Sequence, residues 1–154
     1  MRVPRYPPGL QGCHLRRGIT AENPAMILVD TSVIVAWLDK SHPHHKTCVN
    51  AMLRCAERES LAVSSVTFAE LAAGGRTREA VEEDLRDFEK VPLDLDAAWR
   101  AGIAFRQYRR KDSNDPVLPD FFIRAQAAVL NLPHLTNDRR RLKSFPDVDF
   151  KFVD

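Results

Sequence analysis

The amino-acid sequence predicts a three-layer α/β/α domain, in which helices cover both faces of a central, mainly parallel sheet of four to five strands. Short apolar runs alternate along the chain with longer segments of helical periodicity, which is the pattern of strands joined through helices. The 154 residues are 44% apolar and 29% charged, which suits one soluble domain with its own core. No apolar run is long enough to cross a membrane.

The first half of the domain contains two predicted strands and three predicted helices. Met26–Val29 and Leu61–Val63 are short apolar runs, which predict buried strands. Helices are predicted over Ser32–Leu38, His45–Glu57 and Val66–Ala73, and the last of them ends at a pair of glycines, a common signal for a helix C-terminus.

The second half continues the alternation. Arg78–Lys90 has Val81, Leu85 and Phe88 at helical spacing, so an amphipathic helix is predicted there, before a weak strand over Val91–Leu93. A helix that Asp96 caps is predicted to run to about Lys111, with Trp99, Ile103 and Gln107 along one side. The same signals predict the remaining elements, which are a loop over Lys111–Pro119, a helix over Phe121–Leu130, a strand over His134–Thr136, a helical turn over Arg139–Lys143 and a last strand over Asp149–Val153. The large aromatic residues are expected in the core or in an interface; these are Trp37, Trp99, Phe105, Phe121 and Phe122.

Residues 1–25 differ in composition from the rest of the chain. They are rich in proline and glycine, carry four arginines against one glutamate, and lack the apolar segment of a secretory signal. We therefore expect residues 1–25 to be a disordered tail or an over-long gene start, and residues 26–154 to form the domain. The tail has a net charge of +3 and the whole chain one of +2, so residues 26–154 have a net charge of about −1. Any affinity of the domain for nucleic acid therefore has to come from local patches of positive charge.

The three cysteines, Cys13, Cys48 and Cys55, predict neither a disulfide framework nor a zinc site, since their number is odd and no C-x-x-C spacing occurs. Cys48 and Cys55 are expected as small buried residues in a reducing cytoplasm, which is the localisation that the sequence favours.

Four acidic residues lie where the sites of α/β proteins form. Asp30 ends the first strand, Asp120 opens a helix, Asp138 follows the strand over 134–136, and Glu70 lies just after the second strand. Each has a structural alternative, because the three aspartates are placed to cap helices and Thr67-x-x-Glu70 matches a capping box.

Together the four carboxylates predict a metal site. If they converge at one edge of the sheet they repel one another, and a bound divalent cation removes that repulsion. Oxygen ligands alone suit Mg²⁺ or Mn²⁺ better than zinc. Such a cation lowers the pKa of a bound water and neutralises charge on a phosphodiester, so that hydrolysis needs no nucleophilic serine or cysteine.

The segments around these acids resemble the PIN domain at all of its signature positions. The matching segments are Val29–Ser32, Phe68–Leu71, Pro119–Ala127 and Thr136–Asp138, and the four acids follow one another after 40, 50 and 18 residues. The likeness covers residues 26–154, and this compact range without an accessory domain is most similar to the VapC toxins.

The resemblance implies a function, a cofactor and partners. A PIN domain of this type would hold one or two Mg²⁺ or Mn²⁺ ions on Asp30, Glu70, Asp120 and Asp138, with Thr136 close by as a substrate-binding residue. It would cut RNA, often a structured RNA such as tRNA, to leave a 3′-hydroxyl and a 5′-phosphate. It would form a homodimer, and the C-terminal segment of a VapB-type antitoxin would block its site. The chain would then be the toxin of a type II toxin–antitoxin pair that inhibits translation.

Two cationic clusters are candidates for RNA binding. Arg139, Arg140 and Arg141, in a run with Lys143, are expected to contact RNA phosphates beside the metals. Arg109–Lys111 is expected to be an ordinary helix end, where cations favour the helix dipole.

Other polar clusters are expected to be structural. His42, His44 and His45 have no carboxylate or thiol at ligand spacing, which favours a surface loop. Asp112 and Asp115 are expected to form turns ahead of a proline.

Three other protein classes fit the sequence less well than a nuclease. An aspartyl-phosphate phosphatase needs a second Asp two residues after Asp30, where Ser32 stands. A receiver-like signalling domain needs paired acids after the first strand and a lysine after a later one, but Thr31 follows Asp30 and residues 136–138 contain no lysine. A catalytically decayed α/β domain that acts as a protein-interaction module is the remaining alternative, and four intact acids count against it.

Overall fold

The computed structural model describes residues 25–109 and 118–154, and within these ranges one parallel sheet has helices on both faces. The sheet order is β3-β2-β1-β4-β5, and each neighbouring pair is parallel. The predicted parallel sheet is therefore confirmed, with five strands. The strands are β1 (Met26–Val29), β2 (Ser60–Ser64), β3 (Glu89–Val91), β4 (His134–Thr136) and β5 (Phe150–Phe152).

The helices of the described ranges are α1 (Thr31–Leu38), α2 (His45–Ala56), α3 (Ser65–Ala73), α4 (Arg78–Asp84), α5 (Leu95–Arg109) and α6 (Leu118–Leu130), with a short 3₁₀ turn at Leu142–Ser144. The first three agree with their predicted ranges to within one residue at each end. α6 begins three residues before the predicted start, and a proline is tolerated in this first turn because its missing N–H would have no helical partner there.

The central strand β1 shows why the predicted layers form. Ile27 and Val29 pack into an apolar cluster that includes residues of α1, α2, α3 and α4. Leu28, between them, packs with Ile123 and Ala127 of α6 on the other side. Alternate residues of a strand face opposite sides of the sheet, so a strand that is covered on both sides must be apolar throughout.

The direction of strand addition reverses at β1. From β1 the chain adds β2 and then β3 on one side, and later adds β4 and β5 on the other. The connections after β1 and β4 therefore run in opposite directions, which opens a crevice beyond the carboxyl ends of these two neighbouring strands. Open α/β sheets bind their ligands in such a crevice. Asp30 directly follows β1 and Thr136 ends β4, so the fold puts both residues at this crevice.

The helix predicted over Arg78–Lys90 is α4, and it ends earlier than predicted, at Asp84. Val81, Leu85 and Phe88 are all buried, as their spacing predicted, but only Val81 lies within the helix. Lys90 Nζ donates to the carbonyl oxygens of Leu85 at 2.6 Å and Arg86 at 3.0 Å, which satisfies backbone groups beyond the helix end.

The early end of α4 also shifts the third strand. The prediction put this strand at Val91–Leu93, whereas β3 covers Glu89–Val91 and pairs with residues 62–64 of β2. The prediction was wrong by two residues because only Val91 of β3 is buried, so an apolar run does not mark the strand.

α5 differs from its prediction in its cap and in its buried side. Asp94 Oδ1, rather than Asp96, accepts a hydrogen bond from the backbone N–H of Ala97 at 2.7 Å. The helix packs through alanines, which let α5 and α6 approach closely, and Trp99 is 75% exposed. The expectation of Trp99 in the core was therefore wrong, while its place in an interface stays a prediction.

The helical turn that was predicted over Arg139–Lys143 lies later in the chain, as the 3₁₀ turn at Leu142–Ser144. Asp138 Oδ1 accepts a hydrogen bond from the backbone N–H of Arg140 at 2.9 Å, a local contact that competes with helical hydrogen bonding. Arg141 then has a φ of +60°, in the left-handed region, and the 3₁₀ turn begins only after it.

Several smaller predictions can be compared with the described residues. Cys48 is buried and Cys55 is half-buried, both as free thiols. His45 Nδ1 lies 2.9 Å from the carbonyl oxygen of Ala36, and the histidine cluster lies at the turn between α1 and α2. No helix in the described ranges is long and apolar enough to span a membrane. Cys13, Asp112, Asp115 and the predicted tail up to residue 24 lie outside the described residues.

Candidate active site

Asp30 lies between β1 and α1 and is buried. Its backbone carbonyl accepts hydrogen bonds from Val33 and Ile34, but its carboxylate does not cap the helix. Oδ2 accepts hydrogen bonds from Thr136 Oγ1 at 2.6 Å and from Ser32 Oγ at 3.1 Å. Hydroxyl groups from β4 and α1 therefore orient this carboxylate, and the helix-cap alternative does not describe its side chain.

Glu70 lies in the second turn of α3, and the start of this helix excludes the capping box. The N-cap is Ser64, whose Oγ accepts a hydrogen bond from Val66 N at 3.0 Å. Thr67 does not cap, because its Oγ1 lies 2.9 Å from the buried hydroxyl of Thr31. Glu70 Oε2 is buried and has no hydrogen-bond partner.

Asp120 lies in the first turn of α6, where a negative charge suits the helix dipole. Its Oδ2 accepts a hydrogen bond from Arg141 Nη1 at 2.9 Å. Arg141 reaches it from the turn after β4, so Asp120 links α6 to the far side of the crevice.

Asp138 is held by the turn that follows β4. Its backbone N–H donates to Thr136 Oγ1 at 3.0 Å, and Arg140 Nε donates to its Oδ1 at 2.9 Å. Thr136 therefore contacts both Asp30 and Asp138. Burial acts to raise the pKa of Asp138, but the hydrogen bonds and positive charge of Arg140 outweigh it and keep this pKa below its ordinary value.

The electrostatics show that three of the acids share one region. Burial raises the pKa of Glu70, a hydrogen bond with Thr31 opposes this, and the charges of Asp120 and Asp30 raise it further. Burial likewise raises the pKa of Asp120, as do the charges of Asp30 and Asp138, against the opposing effect of Arg124 and Arg141. Carboxylates from β1, α3 and α6 thus interact although they are far apart in the sequence.

The acids do not yet form a ligand set at bonding distance. Within residues 25–109 and 118–154, no group of three or more His, Cys, Asp or Glu side chains is arranged to hold a metal ion. The predicted metal site therefore stays a prediction. Two observations fit a hard cation: the donors are all carboxylate oxygens, and Glu70 Oε2 is a buried oxygen without a partner.

Two buried basic residues at the site were not predicted from the sequence. Arg124 is 1% exposed, donates to the carbonyl oxygen of Arg140 at 2.9 Å and lies 3.6 Å from Asp138 Oδ2. Its position four residues after Asp120 on one helix face was a signal that could have found it. His134 Nε2 lies 3.9 Å from Asp30 Oδ2. Burial lowers the pKa of this histidine against the opposing charge of Asp30, which disfavours the protonated form that an ion pair would need.

The three arginines that were predicted to contact RNA lie in different surroundings. Arg140 pairs with Asp138 and is exposed at the site. Arg139 pairs with Asp154 and lies over the ring of Phe152, 4.0 Å from its centre, beside the edge strand β5. The side chain of Arg141 is buried and pairs with Asp120. Arg140 is therefore the best placed of the three for a ligand at the crevice.

A groove of about 250 Å³ adjoins Glu70 on the side of α1 and α3. Its lining is mainly apolar, with two acids and one arginine; the lining residues are Val35, Leu38, Asp39, Glu70, Leu71, Gly74 and Arg76. The groove therefore shares Glu70 with the acidic region.

Comparison with known families gives one match that covers most of the chain. The profile of the PIN domain matches residues 27–151, which include all four predicted acids. No curated protein matches the sequence significantly.

Solved structures with the same fold include toxin–antitoxin complexes and a toxin. VapBC2 from Rickettsia felis, bound to promoter DNA, has a TM-score of 0.65 at 19% identity, over 84% of this chain and 99% of that one. VapBC-5 from Mycobacterium tuberculosis has a TM-score of 0.55 at 27% identity, over 84% and 98%. VapC20 from the same organism, a toxin that cleaves the sarcin–ricin loop, has a TM-score of 0.55 at 17% identity, over 77% and 94%.

Proposed function

This chain belongs to the PIN-domain family, and from that premise we propose that it is a metal-dependent endoribonuclease, the toxin of a type II toxin–antitoxin pair. The observation that carries the proposal is the electrostatic meeting of Asp30, Glu70 and Asp120 at the crevice where the strand order reverses. Carboxylates that raise the pKa of their neighbours are costly for the fold, and a bound cation would make them useful.

The proposed cofactor is one or two Mg²⁺ or Mn²⁺ ions, held by Asp30, Glu70 and Asp120, with Asp138 as the fourth acid. When bound, the cation would supply an activated water and charge neutralisation at the phosphodiester. Thr136 and Ser32 would hold Asp30 in position through their hydroxyl groups. Arg140, exposed beside Asp138, would attract the RNA phosphates that the acids repel.

The proposed macromolecular partner is a VapB-type antitoxin in the cytoplasm. The complexes with the same fold support a partner of this kind. The groove beside Glu70 supports a way to block the site: its lining would take apolar side chains of a C-terminal antitoxin segment, and a basic residue next to them would meet Glu70.

A homodimer is proposed from the exposed face of α5. Leu95, Trp99 and Ile103 follow one another at intervals of four residues, and their exposures of 87%, 75% and 39% form an apolar stripe. Exposed apolar stripes of this kind mark protein interfaces. An antiparallel pairing of α5 with a second copy, centred between Trp99 and Ile103, would put the exposed Asp96 opposite the exposed Arg106 of the partner, twice per dimer.

Cleavage of RNA by the full chain tests the proposed function. Single-stranded RNA and tRNA are incubated with the protein in Mg²⁺ or Mn²⁺ and in EDTA, and the products are resolved on a gel. Asp30→Asn and Asp120→Asn should remove cleavage while circular dichroism reports an intact fold, and EDTA should abolish cleavage by the wild type. Asp147→Asn, which loses only a surface ion pair with Arg100, should keep full activity.

Unchanged cleavage in both active-site variants would reject the site. Absence of cleavage by the wild type under every metal condition, together with retained antitoxin binding, would favour the decayed interaction module instead.

A further inference from the structure

We propose that Arg141 is an internal cation that occupies the acidic region until a divalent metal ion displaces it, so that it sets the metal concentration at which the site fills. The inference rests on the proposed function, because it takes these acids to be metal ligands. It concerns an arginine that none of the sequence predictions assigned to the metal site.

The contacts of Arg141 put its charge between two of the acids. Its Nη1 donates to Asp120 Oδ2 at 2.9 Å and lies 4.0 Å from Asp138 Oδ2. The side chain is only 3% exposed, so solvent screens these charges weakly. One guanidinium group therefore joins carboxylates from α6 and from the turn after β4, where a cation shared by the two acids would have to lie.

A metal ion and Arg141 compete for the same carboxylate. A metal ion bound to Asp120 would lie close to the guanidinium group on Oδ2, and the two positive charges would repel each other strongly because the Arg141 side chain is shielded from solvent. The ion pair with Arg141 also makes Asp120 a weaker ligand for any incoming cation. We therefore expect Arg141 to withdraw when the metal binds.

The local backbone allows that withdrawal. Arg141 has a φ of +60°, a conformation that costs energy for a residue with a long side chain and that its surroundings have to maintain. One hydrogen bond outside the acidic region runs from Nε to Tyr108 Oη at 3.4 Å, and the guanidinium group lies 5.7 Å from the centre of the Tyr108 ring. The strained backbone at Arg141 favours a relaxed turn once the contact with Asp120 is lost.

The second buried arginine near the acids is a useful contrast. Arg124 lies in the middle of α6 and donates to a backbone carbonyl, that of Arg140, at 2.9 Å. A regular helix fixes the position of its Cα, so the positive charge of Arg124 stays near Asp138 whether or not a metal binds. Arg141, on a turn, is the one of these two that can leave.

Binding of Mn²⁺ alone tests the inference without any measurement of activity. Calorimetric titrations compare the full-length wild type with Arg141→Gln and with the control Arg100→Gln, which removes an arginine from an exposed ion pair with Asp147 at 2.5 Å. We expect Arg141→Gln to bind Mn²⁺ roughly tenfold more tightly than the wild type, because it no longer has to displace a like charge. In EDTA the same variant should unfold at a lower temperature, since the carboxylates lose a countercharge. Arg100→Gln should match the wild type in Mn²⁺ affinity.

The outcomes separate this inference from the proposed function. Mn²⁺ binding that is equal or weaker in Arg141→Gln would overturn the role of Arg141 and leave the nuclease proposal in place. Absence of Mn²⁺ binding in both proteins would overturn the metal site itself.

A measurement on the wild type covers the case in which Arg141→Gln does not fold. The NMR signal of the Arg141 Nε–H group should shift on titration with Mg²⁺, while the signal of Arg100 should not. A signal of Arg141 that stays unchanged at saturating Mg²⁺ would contradict the displacement.

Discussion

Thr136 is the residue that connects the acids most directly. Its hydroxyl donates to Asp30 Oδ2 at 2.6 Å and accepts from the backbone N–H of Asp138 at 3.0 Å. A hydroxyl that orients a metal ligand without touching the metal has a large effect on affinity. The resemblance to PIN domains implied that Thr136 lies near the metals. These two hydrogen bonds show that its hydroxyl group orients Asp30 and the backbone of Asp138.

Thr136→Val keeps the shape of the side chain and removes the hydroxyl. We expect Mn²⁺ affinity and kcat/KM for RNA cleavage to fall by roughly 10–100-fold, because Asp30 loses its strongest orienting contact. Thr136→Ser retains the hydroxyl and should keep most of both. Equal losses in the serine and valine variants would show that the methyl group, and not the hydrogen bond, is what matters.

The pKa shifts of Glu70 and Asp138 have opposite signs and predict opposite effects on stability. The pKa of Glu70 is raised above its ordinary value of 4.5, mainly by burial, so ionised Glu70 destabilises the fold as pH rises through this range. The pKa of Asp138 is lowered below 3.8 because Arg140 outweighs burial, so ionised Asp138 stabilises the fold above that pH and the gain is lost as pH falls.

Thermal unfolding in EDTA between pH 4 and pH 7 checks these signs. Glu70→Gln should unfold at a higher temperature than the wild type at pH 7, and the difference should shrink towards pH 4. Asp138→Asn should unfold at a lower temperature at pH 7. A stabilised Asp138→Asn or a destabilised Glu70→Gln would contradict the electrostatic description of the site.

At the scale of elements, α3 positions Glu70 through its N-terminus. Ser64 ends β2, caps α3 through Val66 and contacts the side chain of Gln126 in α6. Gln126 Nε2 in turn donates to the carbonyl oxygen of Val91 in β3 at 3.2 Å. Buried polar contacts of this kind join β2, β3 and α6 just below the acids.

Ser64→Ala removes the N-cap of α3, the helix that contains Glu70, whereas Thr77→Ala removes the N-cap of α4, which contains none of the four acids. Thr77 caps α4 through Ala80 N at 3.2 Å and is exposed. Loss of Thr77 should cost about 1 kcal/mol of unfolding free energy. Loss of Ser64 should cost more, about 1–3 kcal/mol, because Gln126 loses a buried partner. Ser64→Ala should also lower RNA cleavage, since α3 carries Glu70, and equal activity in both variants would show that the cap does not position Glu70.

Elements were predicted well where an apolar run has a clear end in the sequence. β1, β2, β4 and α1–α3 were predicted closely, because each is an apolar run with a clear end. α4 and β3 were misplaced, since burial continues through Leu85 and Phe88 after the helix has ended. Local pattern reports which residues are buried, and it does not report whether the backbone between them stays helical.

At the scale of the whole molecule, the sheet order could not be read from the sequence. The acids were predicted to meet at a sheet edge, and the order β3-β2-β1-β4-β5 puts β1 beside β4 and so brings Thr136 to Asp30. The burial of Arg124 and Arg141 was missed for the same reason, because Arg141 reaches Asp120 from a turn that was predicted as helix. Charge partners from distant segments follow from the topology, whereas the candidate acids follow from strand ends.

The exposed stripe of α5 predicts self-association of the whole molecule. Asp96→Lys and Arg106→Glu should each weaken the homodimer by roughly tenfold, because each exposed pair contributes up to ~1 kcal/mol and the dimer has two of them. A mixture of the two variants should form a 1:1 heterodimer, in which every pair is attractive again. Native mass spectrometry measures all three species, and a mixture that pairs no better than either variant alone would exclude this interface.

Anomalous X-ray scattering from crystals soaked in Mn²⁺ would locate the metal among the carboxylates. We expect a manganese peak about 2.1 Å from carboxylate oxygens of Asp30, Glu70 and Asp120, as hard cations are bound by oxygen. A peak bound to other residues, or no peak beside these three acids at saturating Mn²⁺, would contradict it.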